Sequence, residues 1–193
     1  MRIEKVNVEE IEDIENIVEM SIRAFLTDIN VGGNKGDCPP YYDSLLWHKQ
    51  MAEEGHLYKA ISDNKLVGAA VLFIDDNTKQ LYIGRIFIDS IYHRKGYGIK
   101  LMESIETYFP CIQQIDLDTP SWNVRTNLFY QKIGYTIKKE KDGAARAAFY
   151  PWDAEIRTGH ARIWRSSENK FVLLHKNTLK NIPVNPIFIE NNC

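Results

Sequence analysis

The stretch that most constrains this chain runs from Tyr82 to Met102, Tyr-Ile-Gly-Arg-Ile-Phe-Ile-Asp-Ser-Ile-Tyr-His-Arg-Lys-Gly-Tyr-Gly-Ile-Lys-Leu-Met. Apolar, β-branched residues up to Ile88 predict a strand, and Gly96 and Gly98 in a short basic loop predict a tight turn. Apolar residues at Ile99, Met102, Ile105 and Phe109 then recur at near-helical spacing. A strand, turn and helix in this order set the unpartnered first amides of a helix beside glycines that let a ligand approach the backbone. With Arg94 and Lys95 alongside and the helix dipole favouring negative charge, the natural guest is a phosphate or pyrophosphate. Two nucleotide motifs are excluded. No Gly-x-x-x-x-Gly-Lys-Ser/Thr occurs, and Leu101 stands where the third glycine of a dinucleotide fingerprint falls.

A second patterned segment runs from Ile112 to Tyr135. It reads as a strand, a helix opened by Asn123, and a Tyr130-x-x-x-Gly134-Tyr135 ending that stops the helix and leads into another strand. His93-Arg94-Lys95-Gly96-Tyr97-Gly98 resembles the acetyl-CoA-binding motif Gln/Arg-x-x-Gly-x-Gly/Ala of the GNAT superfamily of N-acetyltransferases, with His93 in the place of Gln or Arg. The second segment resembles that family's second signature. Asn123 falls on its CoA-contacting asparagine, Thr126 on its small residue and Tyr130 on the tyrosine proposed as general acid. The resemblance covers roughly residues 1–140 and runs out beyond them.

The resemblance implies an α+β fold, a mixed sheet with helices on both faces, in which two neighbouring strands diverge to open a cleft. It implies acetyl-CoA as co-substrate, bound by His93, Arg94, Lys95, Gly96, Tyr97, Gly98, Ile99 and Asn123, and by the backbones of Phe87 and Ile88. It implies an amine acceptor on a small molecule or peptide, with Tyr130 protonating the departing sulfur. A general base does not emerge. Many family members carry a Glu on the central strand, but Leu81–Ile88 contains no acid; Asp89, Asp116, Asp118 and His56 stand nearby, and a water relay needs none of them.

Taken in order, Met1–Val6 reads as an edge strand and Val8–Phe25 as a helix with Ile11, Ile14, Ile17/Val18, Ile22 and Phe25 on one face. Asp28–Pro40 breaks regular structure and, in the resembled family, borders the acceptor pocket; Tyr41–Glu54 resumes a helical period. His56–Ser62 and Lys65–Ile74 form a hairpin about Asp63-Asn64, followed by strands Gln80–Ile88 and Ile112–Asp118. The order is β-α-α-β-β-β-α-β-α-β-β. Small residues inside strands, Gly68-Ala69-Ala70 and Gly84, mark a bulge or the close approach of a ligand. The expected organisation is an acetyltransferase core over 1–140 and an extension over 141–193, supplying a last strand near 171–175 and carrying Arg146, Arg157, Arg162 and Arg165.

A length of 193 residues suits one domain, and a net charge of −2 argues against nucleic acid as a partner. The cysteines at 38, 111 and 193 and the five histidines show no metal-ligand spacing and no disulfide framework. With no signal peptide or long apolar run, a membrane partner is not expected and the cytosol is the expected compartment. A homodimer is compatible with the sequence. Three functions stay open: an acetyl-CoA-dependent N-acetyltransferase, a GNAT-fold acyl-CoA binder without catalysis acting as sensor or partner, and an unrelated nucleotide-phosphate binder. The absent glycine motifs disfavour the third.

Overall fold

The computed structural model describes residues 1–28, 38–142 and 170–178. Its elements run β1 (Arg2–Lys5), α1 (Ile11–Leu26), α2 (Leu45–Glu53), β2 (Leu57–Ser62), β3 (Lys65–Asp75), β4 (Gln80–Ile88), a 3-10 turn (Ser90–Tyr92), α3 (Tyr97–Tyr108), β5 (Gln114–Pro120), α4 (Val124–Lys132), β6 (Thr136–Asp142) and β7 (Lys170–Asn177). The strands make one sheet in the order β1-β2-β3-β4-β5-β7-β6, antiparallel except where β4 meets β5.

Each face of the sheet carries its own core. Ile83, Ile88, Leu101, Met102, Ile105, Leu117 and Tyr130 pack on the α3–α4 side, while Ile14, Ile17, Met51, Ala69, Val71 and Phe87 pack on the α1–α2 side. Strand alternation divides these sets, since Ala70 and Leu72 face one way and Ala69 and Val71 the other. A bulge sits between them on β4. Val71 pairs with Arg85 and Leu72 with Ile83, so Gly84 is left without a partner. A close approach lies a little farther on: a Cβ at Gly68 would overlap the carbonyl oxygen of Phe87.

The bounds of two helices differ from the sequence reading, and at α2 capping explains it. α2 starts at Leu45 rather than Tyr41, because Tyr41 is left-handed (φ 61°) and the Ser44 hydroxyl accepts the Trp47 amide at 3.2 Å. α1 starts at Ile11, which is 38% exposed, and the buried face begins at Ile14. Ile99 also leaves the core: at 36% exposure it stands at the open end of α3, and Leu101 takes the buried position. Cys38 Sγ lies 3.9 Å from the Phe25 carbonyl oxygen, and Cys111 is disulfide-bonded, which corrects the expectation drawn from the cysteine spacing. Most of the irregular segment before α2 (residues 29–37), the four arginines from Arg146 to Arg165 and residues 179–193 lie outside the described residues.

His48 on α2 is fully buried against this framework. Its Nδ1 lies 2.8 Å from the Ser44 carbonyl, which can only accept, so the neutral ring carries its proton there and Nε2 has no partner. Burial, with Arg85 adding to it, pulls the imidazole down from 6.5 to about 4. Between those two values the unfolded chain takes up a proton that the native ring refuses. Stability is therefore whole above pH 6.5 and falls as the pH drops towards 4, by an amount on the order of 3 kcal/mol for this ring alone. Urea melts at pH 7.5, 5.5 and 4.5 should show this decline, and His48→Asn should flatten it; the same slope in both proteins would remove His48 as its source.

Candidate active site

The site begins where β4 and β5 part. Their pairing runs only from Gln80 with Gln114 to Ile83 with Leu117. Beyond it, Asp118–Pro120 of β5 pair with β7, while β4 continues to Ile88 against β3 alone. One edge of β4 from Gly84 to Ile88 thus faces a gap in place of a strand.

The turn after β4 is fixed at both ends. Asp89, 1% exposed, receives Arg23 of α1 through two bonds, Nε to Oδ1 at 3.1 Å and Nη2 to Oδ2 at 2.7 Å, and its Oδ1 accepts the Ile91 amide. His93 Nε2 lies 2.7 Å from the Ile88 carbonyl. Arg94 (φ 60°) and Gly96 (φ 79°) are both left-handed, which reverses the chain into α3. No side chain caps that helix, and its first internal bond is Lys100 N–H to Gly96 O. The amides of Tyr97, Gly98 and Ile99 therefore face outward with no acceptor among the described residues, an arrangement of backbone that can hold an anion.

Two cavities meet beneath Tyr130. The larger, about 420 Å3, runs along the turn past Arg94, Gly96, Tyr97, Gly98 and Ile99 to Phe129. The smaller, about 190 Å3, lies between the parted strands and α1, lined by Phe25, Asp28, Pro39, Arg85, Asp118 and Asn123 among others. Ile86, Phe87, Ile88, His93, Arg125, Thr126 and Tyr130 border both. Tyr130 is 5% exposed, and burial raises its hydroxyl well above the ordinary phenol value, so it is protonated at neutral pH.

The smaller chamber is charged. Asp28 pairs with Arg125 Nη2 at 2.6 Å, yet burial outweighs Arg125, Asn123 and His93 and raises its carboxyl above the usual range. Asp118 receives the Tyr82 hydroxyl at 3.2 Å. Arg85 is 7% exposed; burial, opposed by Asp43, lowers its guanidinium to about 9, still a cation at neutral pH. Among the described residues no cluster of three or more His, Cys, Asp or Glu is placed to hold a metal, and no helix is long and apolar enough to cross a membrane.

A model of the acetyltransferase (GNAT) family matches residues 16–135, more than half of the chain. The chain belongs to the GNAT family. The GNAT chain is also 26% identical over 133 residues to the spermine/spermidine N(1)-acetyltransferase of Bacillus subtilis (strain 168), covering 62% of this chain and 85% of that one. It is 27% identical over 106 residues to the uncharacterized protein YrkN of the same organism, a match spanning 53% of this chain and 57% of YrkN. Among solved structures it resembles the paiA N-acetyltransferase of Thermoplasma acidophilum in complex with coenzyme A (TM-score 0.64, 16% identity, 91% and 98% covered). It also resembles aminoglycoside 6'-acetyltransferase type Ii (TM-score 0.61, 12% identity, 94% and 100% covered). At these identities the likeness is one of fold.

In this GNAT chain the sequence-expected residues fall into three places. Phe87, Ile88, His93, Arg94, Gly96, Tyr97, Gly98, Ile99 and Tyr130 line the larger cavity. Asn123 lines the smaller one, where its Oδ1 caps α4 by accepting the Thr126 amide at 3.2 Å. Lys95 lines neither, its Nζ turned back on the Ile91 carbonyl at 3.1 Å. The other acids near the cleft are committed elsewhere: Asp89 to Arg23, and Asp116 to His175 at 2.9 Å and Gln114 at 2.7 Å. His56 Nδ1 lies 3.0 Å from the Leu72 carbonyl. Sequence reading missed Asp28, Arg85 and Arg125. Only Arg85 had a signal, as the lone charge in an otherwise apolar Leu81–Ile88.

The two glycines of the turn differ in kind. Gly96→Val forces a β-branched residue into a left-handed backbone and should destabilise the fold by about 1–2 kcal/mol. A Cβ at Gly98 meets only the edge of the Phe129 ring at 3.4 Å, so Gly98→Val should cost less and act through the cavity instead. Urea unfolding of the two variants side by side checks the order, and equal losses would contradict it.

Proposed function

We propose that the chain is an acetyl-CoA-dependent N-acetyltransferase that moves the acetyl group to a primary amine of a small molecule or peptide by direct attack. The observation that carries the reading is the meeting of two cavities along the unpaired edge of β4, beneath a buried, protonated tyrosine. One cavity ends on a backbone anion site, which suits a pyrophosphate; the other is small and charged, which suits an amine acceptor. The spermine/spermidine relative supports the amine class, and the coenzyme A complex of the paiA structure supports the cofactor.

In this reading the outward amides of Tyr97, Gly98 and Ile99, with Arg94 near them, hold the pyrophosphate, and the backbone of Phe87 and Ile88 receives the pantetheine arm in the place of a strand. His93 is held against Ile88, which keeps the shared wall in shape. Asn123 organises the α4 end of the acceptor chamber by capping the helix. The free amine attacks the thioester carbonyl, and backbone amides at the end of β4 stabilise the oxyanion. Tyr130, with its proton held by burial, delivers it to the sulfur as the C–S bond breaks, and the proton shed by the attacking nitrogen passes to water, from which the tyrosine is reprotonated. The acetyltransferase core takes in residues 1–140, and the segment from 141 onwards completes the sheet through β7.

Two measurements test this. Acetyl-CoA at about 100 times its dissociation constant should stabilise the protein by about 2.7 kcal/mol in a thermal shift, and ATP should not. With an acceptor found by thiol release, Tyr130→Phe should lower kcat and kcat/KM together by on the order of 10²-fold, with acetyl-CoA affinity unchanged. An unaltered kcat in the folded variant would take Tyr130 out of the mechanism. Acetyl-CoA binding without turnover on any amine would make the protein a non-catalytic acyl-CoA binder.

A further inference from the structure

We propose that the amine accepted here carries a carboxylate, as an amino acid does, and that Arg85 binds it at the inner wall of the acceptor chamber. The inference rests on the acetyltransferase reading above and narrows its substrate class.

Arg85 is built as a receptor with one part missing. Its Nη2 donates to the Pro40 carbonyl, while Nε and Nη1 are buried and have no partner. No acidic side chain among the described residues comes within ion-pair distance of it. The guanidinium carbon lies 4.1 Å from the Trp47 ring centre and 5.9 Å from that of Phe25, which fixes the plane of the group. A guanidinium has five N–H groups in two forks, Nε with Nη2 and Nη1 with Nη2. Whichever Nη2 hydrogen faces Pro40, one complete two-donor fork remains; its Nε or Nη1 member is covered in this structure, so a ligand engages it only as the side chains over it shift. A buried cation in this state is costly until an anion meets it, and a planar carboxylate matches the fork with its two oxygens.

The rest of the chamber says which anion. Its lining includes Asp28 and Asp118 as well as Arg85, Arg125 and His93, a wall of both signs that suits a zwitterion and repels a phosphate dianion. Arg85 and Phe87 face the same side of β4, two residues apart, or about 7 Å along the strand. Phe87 borders both cavities. A carboxylate on Arg85 therefore leaves room for a short spacer before the amine reaches the shared wall. A polyamine brings several cations and no anion to a chamber whose inner wall is an unpaired arginine.

The test is thiol release from acetyl-CoA by the full chain on matched acceptors: lysine against lysinamide and cadaverine, ornithine against putrescine, with spermidine and phosphoethanolamine alongside. The carboxylated member of each pair should show kcat/KM at least tenfold higher. Arg85→Met should abolish that preference through KM and leave the acetyl-CoA dissociation constant unchanged by calorimetry; Arg85→Lys should restore part of it. Equal or reversed preference in the parent protein overturns the proposal, as does a preference for phosphoethanolamine, whether or not the variants fold. A folded Arg85→Met protein that loses activity equally on all acceptors makes Arg85 a packing residue and overturns it too. Acetyl-CoA binding without turnover on any acceptor withdraws the transferase reading itself, an outcome distinct from turnover without carboxylate preference.

Discussion

Everything at the site depends on the parting of one strand pair. Parallel β4 and β5 hold together for four residues and separate where β4 carries the Gly84 bulge; beyond it β4 stays with β3 and β5 with β7. An unpaired strand edge inside a protein is ordinarily a liability, since its amides and carbonyls need partners. In the proposed function this gap is the binding cleft, and an extended amide-bearing ligand arm is the kind of group that can fill it. The bulge also rotates the strand, so that Arg85 and Phe87 face the α1–α2 side while Ile86 and Ile88 pack towards α3.

Ion pairs hold the cleft's supports in place. Arg23 ties the middle of α1 to Asp89 at the end of β4, and Lys59 of β2, 10% exposed, reaches both Glu10 and Asp13 at the start of α1, at 2.6 and 2.5 Å. Both are largely desolvated on one side, where removing a single partner costs more than the pair itself contributes. Their service is positional. They set α1 at a fixed height over the sheet, and with it Phe25 and Asp28 at the chamber wall.

The fold could be read from the sequence because its signals are local. The strand to Ile88, the glycine turn and the amphipathic helices follow from residue periodicity and turn chemistry, and β4 runs over the residues expected. The errors have local causes too: helix periodicity could not see the left-handed Tyr41 or the Ser44 cap, and it placed Ile11 and Ile99 in a core that begins a few residues later. The site was only half legible. The half proposed to hold the anion is one continuous stretch, whereas the chamber proposed for the acceptor joins Asp28, Arg85, Asp118 and Arg125 from four separate segments. Distances between segments leave no trace in a single sequence, and Arg85 stood out only as a charge where apolar residues were due.

The position of β7 has a consequence for how the chain comes together. It is the last described strand in sequence, yet it lies between β5 and β6 and pairs with both over most of its length. Until it arrives, β5 has no neighbour on its outer side, and β6 has none at all. During synthesis the ribosome must therefore release the forty-five residues from the end of α4 to the end of β7 before that side of the sheet can close. A nascent or truncated chain ending short of residue 170 presents β5 as a raw sheet edge, open to any extended segment that passes.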